Sequence, residues 1–155
     1  MSLNTHESDF NKKAPVSMAS LQGTRGLLVD DDLLLLNLLS KFLAAEGCST
    51  DTALNGRLAL SKIDRVAYDF ILCDLTMPGM DGIAFYRELK ERRFAGLGKI
   101  IFITGYPASH ETEEFLSSLD NPLVNKPFSL EELRETIRLL IANSFDHKQD
   151  LEENL

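Results

Sequence analysis

Tryptophan is absent from this 155-residue chain, cysteine occurs only twice and proline five times. Two cysteines cannot make a disulfide-rich scaffold, so the fold must rest on an apolar core, which a chain of this length can build within a single domain. Cys48 and Cys73 stand in apolar, strand-like contexts and read as buried thiols of a reducing compartment, not as a disulfide or metal pair. No apolar run approaches the ~20 residues needed to span a bilayer; the run Leu33 to Leu36 is broken by Asn37. The N-terminus lacks a basic segment followed by an apolar stretch, so no secretory signal is expected and the expected location is cytoplasmic. Positive charge is scarce. Sixteen Lys and Arg against twenty-four Asp and Glu leave a net charge of −8, which argues against direct nucleic-acid binding by this chain.

What is present alternates between strand and helix. Residues 1–24 are polar and without period, and are expected to be a flexible tail or linker; residues 145–155 are expected to be a charged C-terminal tail. Between them, 25–144 reads as one domain. Strands are predicted at Arg25–Val29, Cys48–Thr52, Asp69–Cys73, Lys99–Ile103 and Leu123–Val124. Helices are predicted from Asp32 to about Glu46, stopped by Gly47, then after Asn55-Gly56, over Ile83–Phe94, over Ser109–Leu119, and from the capping box Ser129-Leu130-Glu131-Glu132 to about Asn143. The strands are apolar throughout instead of alternating, the mark of a parallel sheet covered on both faces.

The strand ends carry the chemistry. Leu27-Leu28-Val29 runs into Asp30-Asp31-Asp32, Phe70-Ile71-Leu72-Cys73 into Asp74, Ile100-Ile101-Phe102-Ile103 into Thr104, and Leu123-Val124-Asn125 into Lys126-Pro127. In an open α/β sheet, ligands bind at the carboxyl ends of the strands. Read alone, Asp74 is a turn residue before Met77-Pro78-Gly79, Lys126 a surface lysine and Thr104 a β-branched strand end. Read together, three clustered carboxylates repel and need a counter-ion. A hard divalent cation with oxygen ligands such as Mg²⁺ meets that need, and Lys126 and Thr104 supply a cation and a hydroxyl for a phosphoryl group. The Lys126–Pro127 bond is a candidate for the cis form.

These four segments, Val29-Asp30-Asp31-Asp32, Asp74 to Gly82, Thr104-Gly105 and Lys126-Pro127-Phe128, resemble in order and spacing the receiver domain of two-component response regulators. The resemblance covers residues 25–144. It implies a flavodoxin-like, doubly wound α/β fold: a five-stranded parallel sheet in order 2-1-3-4-5 with five helices in three layers. It also implies that Asp74 accepts a phosphoryl group from a phosphohistidine on a sensor histidine kinase or histidine phosphotransfer domain. Asp30, Asp31, Asp74 and the Thr76 carbonyl would then hold Mg²⁺, Asp31 directly and Asp30 through water, while Thr104 and Lys126 bind the phosphoryl oxygens. Such a chain is a signalling domain that catalyses its own phosphorylation and dephosphorylation, with a homodimer through the fourth-helix to fifth-strand face as a further option.

The chain departs from the family pattern at Leu123, where an aromatic is usual, and in Ser117-Ser118-Leu119-Asp120-Asn121-Pro122 before the fifth strand. The Thr104-Gly105 and Asn121-Pro122 pattern resembles receivers of hybrid histidine kinases, which makes a module of such a kinase the alternative reading. A Mg²⁺-dependent aspartyl phosphatase is the rival enzyme reading. It requires a second aspartate two residues after the nucleophile, where this chain has Thr76. On the first helix, Leu35, Leu38, Leu39, Phe42 and Leu43 are expected to cover the sheet. Leu33, Leu34 and Leu36 are then surplus, and Leu34, with Leu35 and Pro127, is a candidate contact for a helical partner.

Overall fold

The computed structural model describes residues 20–105 and 109–153, with side chains described to residue 145. Five strands, β1 (Arg25–Val29), β2 (Ser49–Ala53), β3 (Phe70–Asp74), β4 (Ile100–Thr104) and β5 (Leu123–Asn125), form one sheet in the order β2-β1-β3-β4-β5. Every pairing is parallel. The helices are α1 (Leu33–Ala45), α2 (Gly56–Ile63), α3 (Gly82–Glu91), α4 (His110–Ser117) and α5 (Leu130–Glu153), with a 3₁₀ turn at Leu97–Lys99. This is the flavodoxin-like architecture expected.

Alternation along the strands divides the core in two. Leu27, Val29, Ile71, Cys73, Ile100 and Phe102 pack with residues of α2, α3 and α4, and Leu28, Leu72, Ile101, Ile103 and Val124 with those of α1 and α5. Both sheet faces are therefore dry, and a functional crevice is left only at the strand ends.

Local chemistry fixes where the helices begin and end. Asp32 caps α1 by accepting from the N–H groups of Leu34 and Leu35 at 3.1 and 3.2 Å. Gly47, at φ +83°, closes it: its N–H donates to the Ala44 carbonyl and that of Cys48 to the Leu43 carbonyl, the Schellman pattern that needs a left-handed residue. Asn55, Asp81, Ser109 and Ser129 cap the other four helices in the same way.

The α1 stripe differs from the one expected. Leu36, Leu39 and Leu43 are the buried residues, Leu35 and Phe42 flank them half-buried, and Leu38 is 52% exposed. Leu36, assigned to the surplus, is core because Leu36, Leu39 and Leu43 share one helical line, and Leu38 stands two residues, or roughly 200° of helical turn, from Leu36. Two boundaries also move. Leu21, placed in the tail, is buried in the α1/α5 core, and Thr24 donates its hydroxyl to the Leu21 carbonyl. Helix α5 continues to Glu153 instead of ending near Asn143; no glycine or proline follows Ser129 to stop it. The remaining expected tail, residues 1–19, lies outside the described residues.

Candidate functional site

Because β1 and β3 are adjacent and end in register, Val29 beside Cys73, the residues that follow them meet above the sheet edge. Asp30 and Asp74 are 3% and 5% exposed, while Asp31 faces solvent. Asp30, Asp31 and Asp74 each present an oxygen within 4.8 Å of the others. The β5 end brings in Lys126, whose Nζ lies 3.0 Å from Asp74 Oδ2 and 3.5 Å from Asp30 Oδ2. Its backbone N–H donates to the Thr104 carbonyl at 2.7 Å, and the Lys126–Pro127 bond is cis.

The other carboxylate oxygens are held by backbone. The Asp32 N–H donates to Asp30 Oδ1 at 2.8 Å and the Thr76 N–H to Asp74 Oδ1 at 3.0 Å. Thr76 itself is exposed. Thr104 is buried at the end of β4, and its hydroxyl makes a long 3.3 Å bond to the Gly105 carbonyl. So Asp30, Asp31, Asp74 and Lys126 converge as expected. Thr76 contributes its amide to Asp74, and Thr104 stands beside the site with its hydroxyl turned to its own loop.

Two buried carboxylates share one ammonium here, with a third carboxylate beside them, and the electrostatics record it. Burial, with the charge of Asp74 adding, pushes the Asp30 carboxyl up to about 6 against the Asp32 N–H and Lys126. Partial burial lowers Lys126, but the Asp74 hydrogen bond and the charges of Asp74 and Asp30 outweigh it and hold the ammonium above its ordinary value. An all-oxygen set with surplus negative charge fits a hard divalent cation.

A carboxyl whose folded pKa is raised favours the protonated fold, so its ionisation cost is absent below about 4, the unfolded value, and complete above about 6. Without metal, that cost is about 2–3 kcal/mol. Asp30→Asn should therefore melt several degrees above the parent near pH 7.5 in chelator, with the gap closing towards pH 4. Paired thermal melts check this; a gap unchanged across that range would contradict it.

Two contributors escaped the sequence reading. A Cβ built on Gly82 would lie 2.7 Å from the Asp74 carbonyl oxygen and 2.8 Å from the Leu75 Cα, and the Gly82 N–H donates to the Leu75 carbonyl. Gly82 thus lets α3 begin against the Asp74 backbone. Asn121 donates from Nδ2 to the Leu97 and Ile100 carbonyls at 2.8 and 2.9 Å, bracing the entry to β4. Its Asn-Pro context was the available signal.

Comparison with protein families matches the response regulator receiver domain over residues 27–138. The chain belongs to this family. Among relatives, the receiver is 32% identical to the transcriptional regulatory protein TrcR of Mycobacterium tuberculosis, over 84% of this chain and 50% of that protein. It is 33% identical to hybrid signal transduction histidine kinase L of Dictyostelium discoideum, over 72% of this chain and 7% of that one. The chain thus spans half or less of the curated relatives it matches. Among solved structures, the Francisella response regulator 1452 receiver domain superposes with a TM-score of 0.68 at 26% identity, covering 78% of this receiver and 98% of that chain. Among the described residues, no helix is long and apolar enough to cross a membrane.

Proposed function

We propose that this receiver takes a phosphoryl group from a phosphohistidine onto Asp74 in a Mg²⁺-dependent reaction and thereby changes its affinity for a partner. The observation that carries the reading is the convergence of Asp30, Asp31 and Asp74, with Lys126 as the cation shared by Asp30 and Asp74. Asp30, Asp31, Asp74 and the Thr76 carbonyl would hold the metal, which would neutralise phosphoryl charge as the group transfers.

The chain's own groups do the rest. The Thr76 N–H fixes Asp74 Oδ1, leaving Oδ2 as the nucleophile. As Oδ2 bonds to phosphorus, the phosphorus–nitrogen bond breaks, its electron pair returns to the imidazole, and the donor histidine leaves neutral when its other ring nitrogen already carries a proton. Oδ2 loses its negative charge in the acyl phosphate. The Lys126 ammonium, 3.0 Å away, then passes from the carboxylate to a phosphoryl oxygen. Among the described residues, Thr104 has one long hydroxyl bond, to the Gly105 carbonyl, to give up in turning to another phosphoryl oxygen. Incubation with acetyl phosphate and Mg²⁺ tests the assignment: one persistent phosphate per chain is expected, whereas turnover of many equivalents without a labelled chain would favour an aspartyl phosphatase.

The rim supports a helical phosphohistidine donor, either a sensor kinase or a phosphotransfer domain. Leu33 and Leu34 at the start of α1 are 58% and 81% exposed, and Pro127 beside Lys126 is exposed as well. Exposed leucines are ordinary singly, but these border the approach to Asp74. Leu34→Asp should slow transfer from the phosphohistidine donor about tenfold, or roughly 1.4 kcal/mol, and leave acetyl phosphate labelling intact. Equal slowing with both donors would place the damage in the site and contradict the docking role.

A further inference from the structure

The turn that follows β2 touches both loops that carry the clustered carboxylates. On one side, the Ala53 carbonyl accepts the Asp30 N–H at 3.1 Å. Three residues on, Gly56 opens α2 behind its cap Asn55 and is itself buried. Met80, from the loop between β3 and α3, lies directly on it. A Cβ built on Gly56 would stand 2.7 Å from Met80 Cγ, 2.9 Å from Sδ and 3.1 Å from Cβ. The contact needs a glycine there, whereas the backbone does not: the positive-φ glycines among the described residues are Gly23, Gly47 and Gly79.

The loop that carries Met80 also carries Thr76. Its base is closed by the Leu75 N–H on the Ile103 carbonyl and the Gly82 N–H on the Leu75 carbonyl. Thr76 then donates to Asp74 Oδ1 at 3.0 Å, and Met77 is buried. Pro78 and Gly79 form an exposed turn, with Gly79 at φ +77°. Beyond that turn, Met80 returns the loop to the core that α2 and α3 share. Its outer side borders a groove of about 400 Å³ with Arg57, Ser61 and Arg92. The seat on Gly56 therefore sets the distance between this loop and α2.

We propose that Met80, seated on Gly56, is a positioning residue for the cation site. By holding residues 75–81 against α2 it sets the Thr76 carbonyl relative to Asp74, while the same turn holds Asp30 through Ala53. The oxygen donors are thus placed before a cation arrives. Outer contacts that orient metal ligands are worth roughly 10–100-fold in affinity. The proposal rests on the cation reading of Asp30, Asp31, Asp74 and Thr76 given above.

The test measures Mg²⁺ affinity by calorimetry in the parent, Met80→Ala, Gly56→Ala and the double variant. Each single change should weaken Mg²⁺ about tenfold, Met80→Ala by unseating the loop and Gly56→Ala by pushing it away. In the double variant the new methyl takes space left by Met80 Cγ and Sδ and rests on the remaining Cβ. Affinity should then return to within about threefold of the parent, the non-additivity expected of residues in contact. In acetyl phosphate labelling, the Mg²⁺ concentration giving half the maximal rate should rise with the dissociation constant. The maximal rate should change less than about threefold, because Asp74 closes β3 and is not carried by the loop. Melts in chelator confirm that each variant is folded, and Gly56→Ala, which removes no side chain, carries the test should Met80→Ala not fold. Single variants that bind Mg²⁺ like the parent, or a double variant weakened by the product of the two, overturn the positioning role and leave the cation site standing. A parent that binds no Mg²⁺ overturns the cation reading and the positioning role with it.

Discussion

Gly82→Ala should destabilise the receiver by about 3 kcal/mol and slow phosphoryl transfer to Asp74, although the substitution adds a single uncharged methyl group. The added carbon would lie 2.7 Å from the Asp74 carbonyl oxygen and 2.8 Å from the Leu75 Cα. Both are backbone atoms that no rotamer change can move aside. Relief requires α3 to back away from β3 or the Asp74 backbone to shift, and a displacement of about 1 Å at a reacting group can cost on the order of 100-fold in rate. Gly98→Ala is the control, since a Cβ there meets nothing within 4 Å. Melting temperature and initial acetyl phosphate labelling rate check the pair, with Gly82→Ala falling in both and Gly98→Ala in neither. A Gly82→Ala variant matching the parent would show that the start of α3 yields easily.

Lys126→Met should have effects of similar size through charge. Among the described residues, its ammonium is the one cation bonded to the two buried carboxylates Asp30 and Asp74. Removing one partner of a buried pair leaves an uncompensated charge, at about 3–5 kcal/mol when the pair is dry. The Lys126 side chain is 34% exposed, so solvent screening reduces this to about 1–3 kcal/mol. Mg²⁺ should then stabilise the variant more than the parent, because it replaces the missing charge in the fold alone. Labelling should slow about 100-fold, the usual consequence of losing one donor to a charged transition state. Melts with and without Mg²⁺ and a labelling time course measure both; equal Mg²⁺ stabilisation of the two chains would contradict Lys126 as the shared counter-ion.

The site was legible in the sequence because it is written one strand at a time. Each apolar run ends in a candidate side chain at Asp30, Asp74, Thr104 or Lys126, and parallel register is enough to bring those ends together. The caps Asp32 and Ser129 were legible for the same local reason: each acts within three residues of itself. The phase of α1 was not. Four consecutive leucines, Leu33 to Leu36, place an apolar residue at every angle of the first turn, so periodicity cannot say which one faces the sheet, and tertiary packing chose Leu36. Gly82 and Leu21 were missed because their roles depend on contacts that spacing does not encode: the approach of α3 to the Asp74 backbone, and the α1/α5 core beneath β1. The orientation of the Thr104 hydroxyl is likewise a property of the fold and not of residue identity.

On the proposed function, Asp74 accepts the phosphoryl group and needs a divalent cation to do so. The most direct measurement is intact mass, followed by peptide mapping, of the parent and Asp74→Ala after incubation with acetyl phosphate, each with Mg²⁺ and with excess EDTA. One phosphoryl group is expected on the Asp74 peptide of the parent with Mg²⁺, and none in the other three samples. A phosphoryl group retained by Asp74→Ala, or gained by the parent at an undiminished rate in EDTA, would contradict it.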